Sequence, residues 1–210
     1  YFAPADFNET VNTVGQPLPG VEGKWVPGTR SHEQARSLIS LWEPLGAALR
    51  SLETTGQDVI VDAGRLGLFG SPEPLLANAD LALLLTRTDM VSLSGARSWA
   101  ETLRERFARS GASTALGLLL VGEGQPFSTR EVARVLQIPV VTTVAWDPES
   151  AAVLSHGAEP PRGGLLQRLA GRGGWEDTPL LRSYRGARSA IAGRIRINEE
   201  QLQAAGGRPS

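Results

Sequence analysis

Three aspartates stand at or just beyond apolar runs, where a carboxylate has specific chemistry open to it. Asp62 ends the run VIVD, Asp89 follows LALLLTRT, and Asp147 follows PVVTTVAW. A strand that ends in a carboxylate places a hard oxygen ligand at the carboxyl edge of its sheet, which is where open α/β sheets bind ligands. Hard oxygens suit Mg²⁺, which is held by one or two carboxylates together with substrate phosphates. Aspartate also caps the turn or helix that follows a strand. Both readings of Asp62, Asp89 and Asp147 stay open at this level.

The chemistry that would partner them is thin. Of 21 basic residues, 20 are arginine and only Lys24 is lysine. A phosphate-binding loop of the form G-x-x-x-x-G-K-[ST] needs its lysine to reach the phosphates. Lys24 follows Gly23, but Leu18 stands where the first glycine belongs and Trp25 where Ser or Thr belongs. The glycine clusters at 122–124 and 170–174 contain no lysine. Cysteine is absent, which excludes disulfides, thiolate metal sites and a cysteine nucleophile. The two histidines, His32 and His156, are far apart, which argues against a haem or transition-metal centre. His156 precedes Gly157 and reads as a residue at a helix end, where a cationic ring favours the dipole. Ser94, Ser128 and Ser150 lie in no G-x-S-x-G elbow, so a hydrolase triad has no support.

Composition sets the remaining bounds. The 210 residues are 41% hydrophobic and 20% charged, which fits a globular chain of one or two domains. Net charge is −1, but it is unevenly spread. Residues 160–210 hold 9 arginines against 4 acids, so the C-terminal part is the basic end. No apolar run reaches the roughly 18–20 residues that span a bilayer. Residues 1–30 lack the basic start and apolar core of a signal peptide.

The elements that must position the aspartates follow from periodicity. Four short apolar runs at 58–64, 81–86, 115–122 and 139–146 alternate weakly, as strands buried on both faces do. Helical patterns separate them. The leucines at 38, 41, 45, 49 and 52, with Trp42, predict a helix over 31–53, capped by Ser31 and interrupted by Pro44 and Gly46. Residues 72–79 predict a short helix and 92–110 a longer one, with Leu93, Ala96, Ala100, Leu103 and Phe107 inward. Residues 128–137 begin with a capping box, Ser128 and Glu131, and are expected to bury Val132, Val135 and Leu136. Asp147 and Pro148 open a helix over 147–156. Residues 179–204 predict a last helix with Leu180, Leu181, Tyr184, Ala187, Ile191 and Ile195 on one face. Strand and helix alternate, so the expected fold is α/β, a mostly parallel sheet flanked by helices. The chain divides into a loop-rich segment 1–30, a core 31–156, a Gly/Pro-rich insertion 157–178, and a C-terminal helix and tail 179–210.

In order and spacing, VIVDAGRLG, ADLALLLTRTDMVSLSGAR and GLLLVGEGQPFSTREVARVLQIPVVTTVAWDPESAAVLSHG resemble the second half of MinD/ParA-type ATPases, especially the divergent actinobacterial ones. The resemblance covers about residues 31–195. It implies a partial P-loop (Rossmann-like) fold and a cytoplasmic, deviant-Walker ATPase. Such proteins dimerise around ATP and Mg²⁺ and position chromosomes, plasmids, or division or pilus machinery. By position Asp62 resembles the Walker B carboxylate, the Mg²⁺ ligand, with Asp89 and Asp147 on the nucleotide edge. The family's phosphate loop and switch carboxylate fall before Tyr1, so this chain alone is expected to be inactive and to expose a hydrophobic sheet edge. Where better-known relatives have an adenine-contacting Asn, this chain has Val121-Gly122-Glu123.

The resemblance also implies partners: a homodimer or protein partner, and nonspecific DNA contacted by Arg182, Arg185, Arg188, Arg194 and Arg196. The modest charge of this region favours reading those arginines as the solvated face of a helix packed on the sheet. The Ala-rich apolar face of that helix, without Trp or Phe, argues against membrane binding. The competing functional class is a nucleotide-independent interaction module, a relative that kept the sheet and lost the loop.

Overall fold

The computed structural model describes residues 4–18, 20, 22–29, 31–67, 72–160 and 174–206. The chain forms two compact units that divide between Ala79 and Asp80.

The first unit is mostly helical. Helix α1 spans Pro4–Val14, where the sequence predicts loop. A two-residue antiparallel pair follows, β1 (Gln16–Pro17) with β2 (Lys24–Trp25). The helix expected over 31–53 is divided. Helix α2 (His32–Ser37) opens on Ser31, whose hydroxyl accepts from the Gln34 N–H, and helix α3 spans Trp42–Ser51. The break falls at a 3₁₀ turn, Ile39–Leu41, rather than at Pro44 or Gly46. Pro44 lies in the first turn of α3, where a backbone N–H has no intrahelical acceptor, so its ring is tolerated there. Gly46 is buried in α3, where a Cβ would meet the Asn78 side chain at 2.7 Å. Asn78 follows helix α4 (Glu73–Ala77), so that glycine permits the close approach of α3 and α4.

Residues 58–64 depart from expectation. The sequence predicts a buried strand; the structure places these residues in neither helix nor strand. Val59 and Val61 are exposed and Ile60 is 97% exposed. A β-branched run becomes a strand only when a neighbouring strand takes its backbone hydrogen bonds, and among the described residues none does so.

The second unit holds the sheet. Strands β3 (Ala82–Arg87), β4 (Leu116–Val121) and β5 (Val140–Val144) run parallel in the order β3-β4-β5. Helix α5 (Met90–Arg109) carries β3 to β4, and helix α6 (Thr129–Leu136) carries β4 to β5. Helices α7 (Pro148–His156) and α8 (Pro179–Gly206) follow. Residues 161–173 of the expected insertion lie outside the described residues.

The core forms where the sequence pattern places it, with local exceptions. All five inward residues expected on α5 are buried. Leu118 and Leu120 in the central strand are 0% exposed, each contributing about 1.5–3 kcal/mol by transfer from water. On α6, Val132 and Leu136 are buried one turn apart, but Val135 is 52% exposed. On α8, Leu180 and Ala187 are buried while Tyr184 is exposed. Strand β3 is not covered on both faces: Ala82, Leu84 and Thr86 are buried, whereas Leu85 is 62% exposed.

Gly117 sits where β4 is most tightly flanked. A Cβ there would approach Val141 Cγ2 to 2.4 Å and Leu83 Cδ2 to 3.3 Å. Gly117→Ala is therefore expected to overpack the sheet and cost about 1–3 kcal/mol, read as a lower midpoint in urea unfolding. An unchanged midpoint would show that β5 yields freely.

Candidate functional site

Parallel strands joined by right-handed crossovers bring their carboxyl ends to one edge. Here that edge carries Arg87 at the end of β3 with Thr88-Asp89 beyond it, Gly122-Glu123 after β4, and Trp146-Asp147 after β5.

Arg87 and Trp146 span this rim. The Arg87 guanidinium lies over the Trp146 ring, 4.4 Å from its centroid, and Nε contacts Asp89 Oδ2 at 3.3 Å. Both side chains keep solvent access. Between them the end of β4 must be thin. Gly122 has φ +80°, and a Cβ on it would lie 3.3 Å from Trp146 Cβ. Glycine therefore meets two needs at once, a left-handed backbone and space beneath the indole.

Thr88 anchors the loop after β4. It is 1% exposed, and its hydroxyl donates to the Gly122 carbonyl. The same hydroxyl accepts from the Gln125 N–H at 3.3 Å. Its backbone N–H donates to Val121 O at 3.3 Å, and its carbonyl accepts from the Phe127 N–H at 3.3 Å. The Gln125–Pro126 bond in this loop is cis. Glu123 accepts a hydrogen bond from the Thr129 hydroxyl, which fixes the loop to the start of α6.

Asp89 and Asp147 reach this rim, and both cap helices. Asp89 Oδ1 accepts from the Ser92 N–H at 2.9 Å, and Oδ2 accepts from the Ser92 hydroxyl at 2.9 Å. The hydrogen bonds from the Ser92 backbone and side chain, helped by Arg87, hold the Asp89 carboxyl below its ordinary range. Asp147 serves two helices. Its Oδ1 accepts from the Ser150 N–H at 3.2 Å, at the start of α7, and Oδ2 accepts from the Leu180 N–H at 3.3 Å, at the start of α8. Burial works to raise the Asp147 carboxyl, and the hydrogen bonds from Ser150 and Leu180 outweigh it, so the net shift is downward. Glu131 is also lowered, by the Ser128 side chain and backbone that complete the capping box.

Asp62 belongs to the first unit. Its Oδ1 accepts from the Gly64 N–H at 2.8 Å, an Asx turn that Gly64 allows with φ +69°. The residue is exposed. Among the described residues, no group of three or more His, Asp or Glu could hold a metal ion by itself. Lys24 donates to Asn12 Oδ1 at 2.7 Å and to Asn12 O at 3.2 Å, which ties β2 to α1. His156 ends α7 beside Gly157, whose φ of +66° closes the helix.

The C-terminal arginines lie along α8 in different settings. Arg182 donates to Asp177 O, Arg185 to Glu176 O at 2.8 Å, and Arg194 to Thr114 O at 3.2 Å. Arg188 and Arg196 are exposed on α8. Among the described residues, no helix is long and apolar enough to cross a membrane.

Sequence reasoning missed Thr88 and the pairing of Arg87 with Trp146. A threonine ending a leucine-rich run is a visible cue for a buried hydroxyl. The Arg–Trp contact joins residues 59 positions apart, and no local pattern announces it. No protein-family model matches this chain, and no curated protein is significantly similar to it.

The lowered carboxyls make stability depend on pH. A group whose folded pKa is depressed stabilises the fold above its unfolded value, and that contribution is lost as pH falls through the folded value. Asp89, Glu131 and Asp147 share this sign. Unfolding free energy is thus expected to drop between about pH 5 and pH 2. Asp147→Ala is expected to cost about 1–2 kcal/mol at neutral pH and to flatten that drop. Urea titrations at several pH values check both; a variant with the parent's acid profile would contradict the double cap.

Proposed function

We propose that this chain is the sheet-bearing part of a MinD/ParA-like ATPase, with a P-loop-type fold and a nucleotide at the carboxyl edge of β3-β4-β5. The observation that supports this reading most is the rim itself. Three parallel strands end in Arg87-Thr88-Asp89, Gly122-Glu123 and Trp146-Asp147, at the position where open α/β sheets bind ligands. The exposed Arg87 and Trp146 offer a cation and an aromatic face to a planar, anionic ligand. In this reading Asp62 supplies one oxygen to Mg²⁺, and its exposed carboxylate suits a metal that takes its other ligands from phosphates and water. The bound ion would neutralise phosphate charge. Homodimerisation around ATP, cargo positioning and a cytoplasmic setting belong to the same proposal.

A second reading has its own support. Asp89 and Asp147 spend both carboxylate oxygens on helix caps, and Arg87 is already held by Asp89 and Trp146. A rim satisfied without ligand suits a nucleotide-independent interaction module.

One experiment separates the two. The ATPase reading requires a phosphate-loop lysine outside these 210 residues, so the coding sequence preceding Tyr1 is expected to encode a glycine-rich loop of the KGGxGKT kind. In a protein carrying that loop, Asp62→Ala is expected to lower ATP turnover about tenfold or more, at least ~1.4 kcal/mol of barrier. Unchanged turnover would remove Asp62 from the metal site. A start codon close to Tyr1, with no such loop, would favour the interaction module.

A further inference from the structure

One buried hydroxyl ties the ends of all three strands together. Thr88, the residue after β3, donates its hydroxyl to the Gly122 carbonyl just beyond β4. The Gly122 N–H in turn donates to Val144 O, at the end of β5, at 2.9 Å. A relay thus runs from Thr88 through Gly122 to β5. The same hydroxyl accepts from the Gln125 N–H at 3.3 Å, so one oxygen also holds the loop beyond Gly122. Gly122 lies against Trp146: a Cβ on it would stand 3.3 Å from Trp146 Cβ and 3.8 Å from Cε3. Arg87, the residue before Thr88, lies over the same indole, 4.4 Å from its centroid. Asp89 also holds Arg87, but its bonds run to Arg87 and to the first turn of α5, not to Gly122.

We propose that Thr88 is the positioning residue of this rim: its hydroxyl sets Gly122, and through Gly122 the placement of Trp146 against Arg87. Threonine suits the post for a physical reason. Thr88 is 1% exposed, so water does not compete for its hydroxyl, which is satisfied as donor and as acceptor within the protein. Such bonds hold geometry because a partner left unpaired in a buried site costs its desolvation. Valine has nearly the shape of threonine and can make neither bond. Serine keeps both bonds and loses only a methyl group. The weight of this placement for ligand binding rests on the nucleotide edge proposed above. The placement itself belongs to the ligand-free chain, so either can fail without the other.

Nuclear magnetic resonance on the 210-residue chain, without nucleotide, reads the placement directly. Protons over the face of an indole are shielded by its ring current. The Arg87 δ-methylene protons are therefore expected upfield of the ordinary arginine position, and to return to it in Trp146→Leu. Thr88→Val is expected to move them most of the way back with circular dichroism unchanged. It is also expected to speed hydrogen exchange of the Gln125 amide about tenfold or more. Thr88→Ser is expected to keep both signals close to the parent. Gly122→Ala leaves the Thr88 hydroxyl in place but adds a Cβ beside Trp146, and is expected to lose the Arg87 shift. That variant carries the test if Thr88→Val does not fold. Three results would overturn the proposal. One is a folded Thr88→Val with the parent's Arg87 shift and Gln125 exchange. Another is a Thr88→Ser that loses both signals as Thr88→Val does. The third is a folded Gly122→Ala that keeps the parent's shift.

Discussion

A parallel strand cannot be reached by a tight turn, and the second unit follows from that constraint. Each return from the end of one strand to the start of the next requires a crossover of a dozen or more residues. The chain supplies α5 between β3 and β4, and α6 between β4 and β5. Those helices bury their apolar stripes on the sheet, which encloses Leu118 and Leu120 completely. The same geometry sends every strand's carboxyl end to one edge. The rim of Arg87, Thr88, Gly122, Trp146 and Asp147 is therefore a consequence of topology before it is a site.

The polar residues on that rim first solve a backbone problem. Every helix beginning there has orphan N–H groups, and every loop has carbonyls leaving the ladder. Asp89 closes the start of α5, the Ser128–Glu131 box closes α6, and Asp147 closes both α7 and α8. Thr88 takes the loop carbonyl at Gly122 and the N–H of Gln125. Among the described rim residues, Arg87 and Trp146 keep solvent exposure.

The two units contrast in how completely they satisfy their chains. In the second, the central strand is paired on both sides and its leucines are fully buried. In the first, a run with the composition of a core strand lies unpaired with its side chains in water. The difference is one of partners, since VIV is as good a strand former as most of β5. Strand formation is a property of a pair, and a residue pattern can state only one member's willingness.

Local signals determined much of what is seen. The capping residues Ser31, Ser128, Asp89 and Asp147 act through hydrogen bonds to backbone two or three residues away, so their positions alone place helix starts. The apolar stripe on α5 and the runs that became β3, β4 and β5 are equally short-range, and they established the α/β, largely parallel character. Tertiary structure decided the rest. It left residues 58–64 in no strand, since among the described residues no strand pairs with them. It exposed Val135 and Tyr184, which share an apolar pattern with buried residues but meet no packing surface. It joined Arg87 to Trp146 and Asp147 to the start of α8, contacts across 59 and 33 positions. Such contacts arise from strand order and crossover path, and a one-dimensional pattern holds no record of either until the chain has folded.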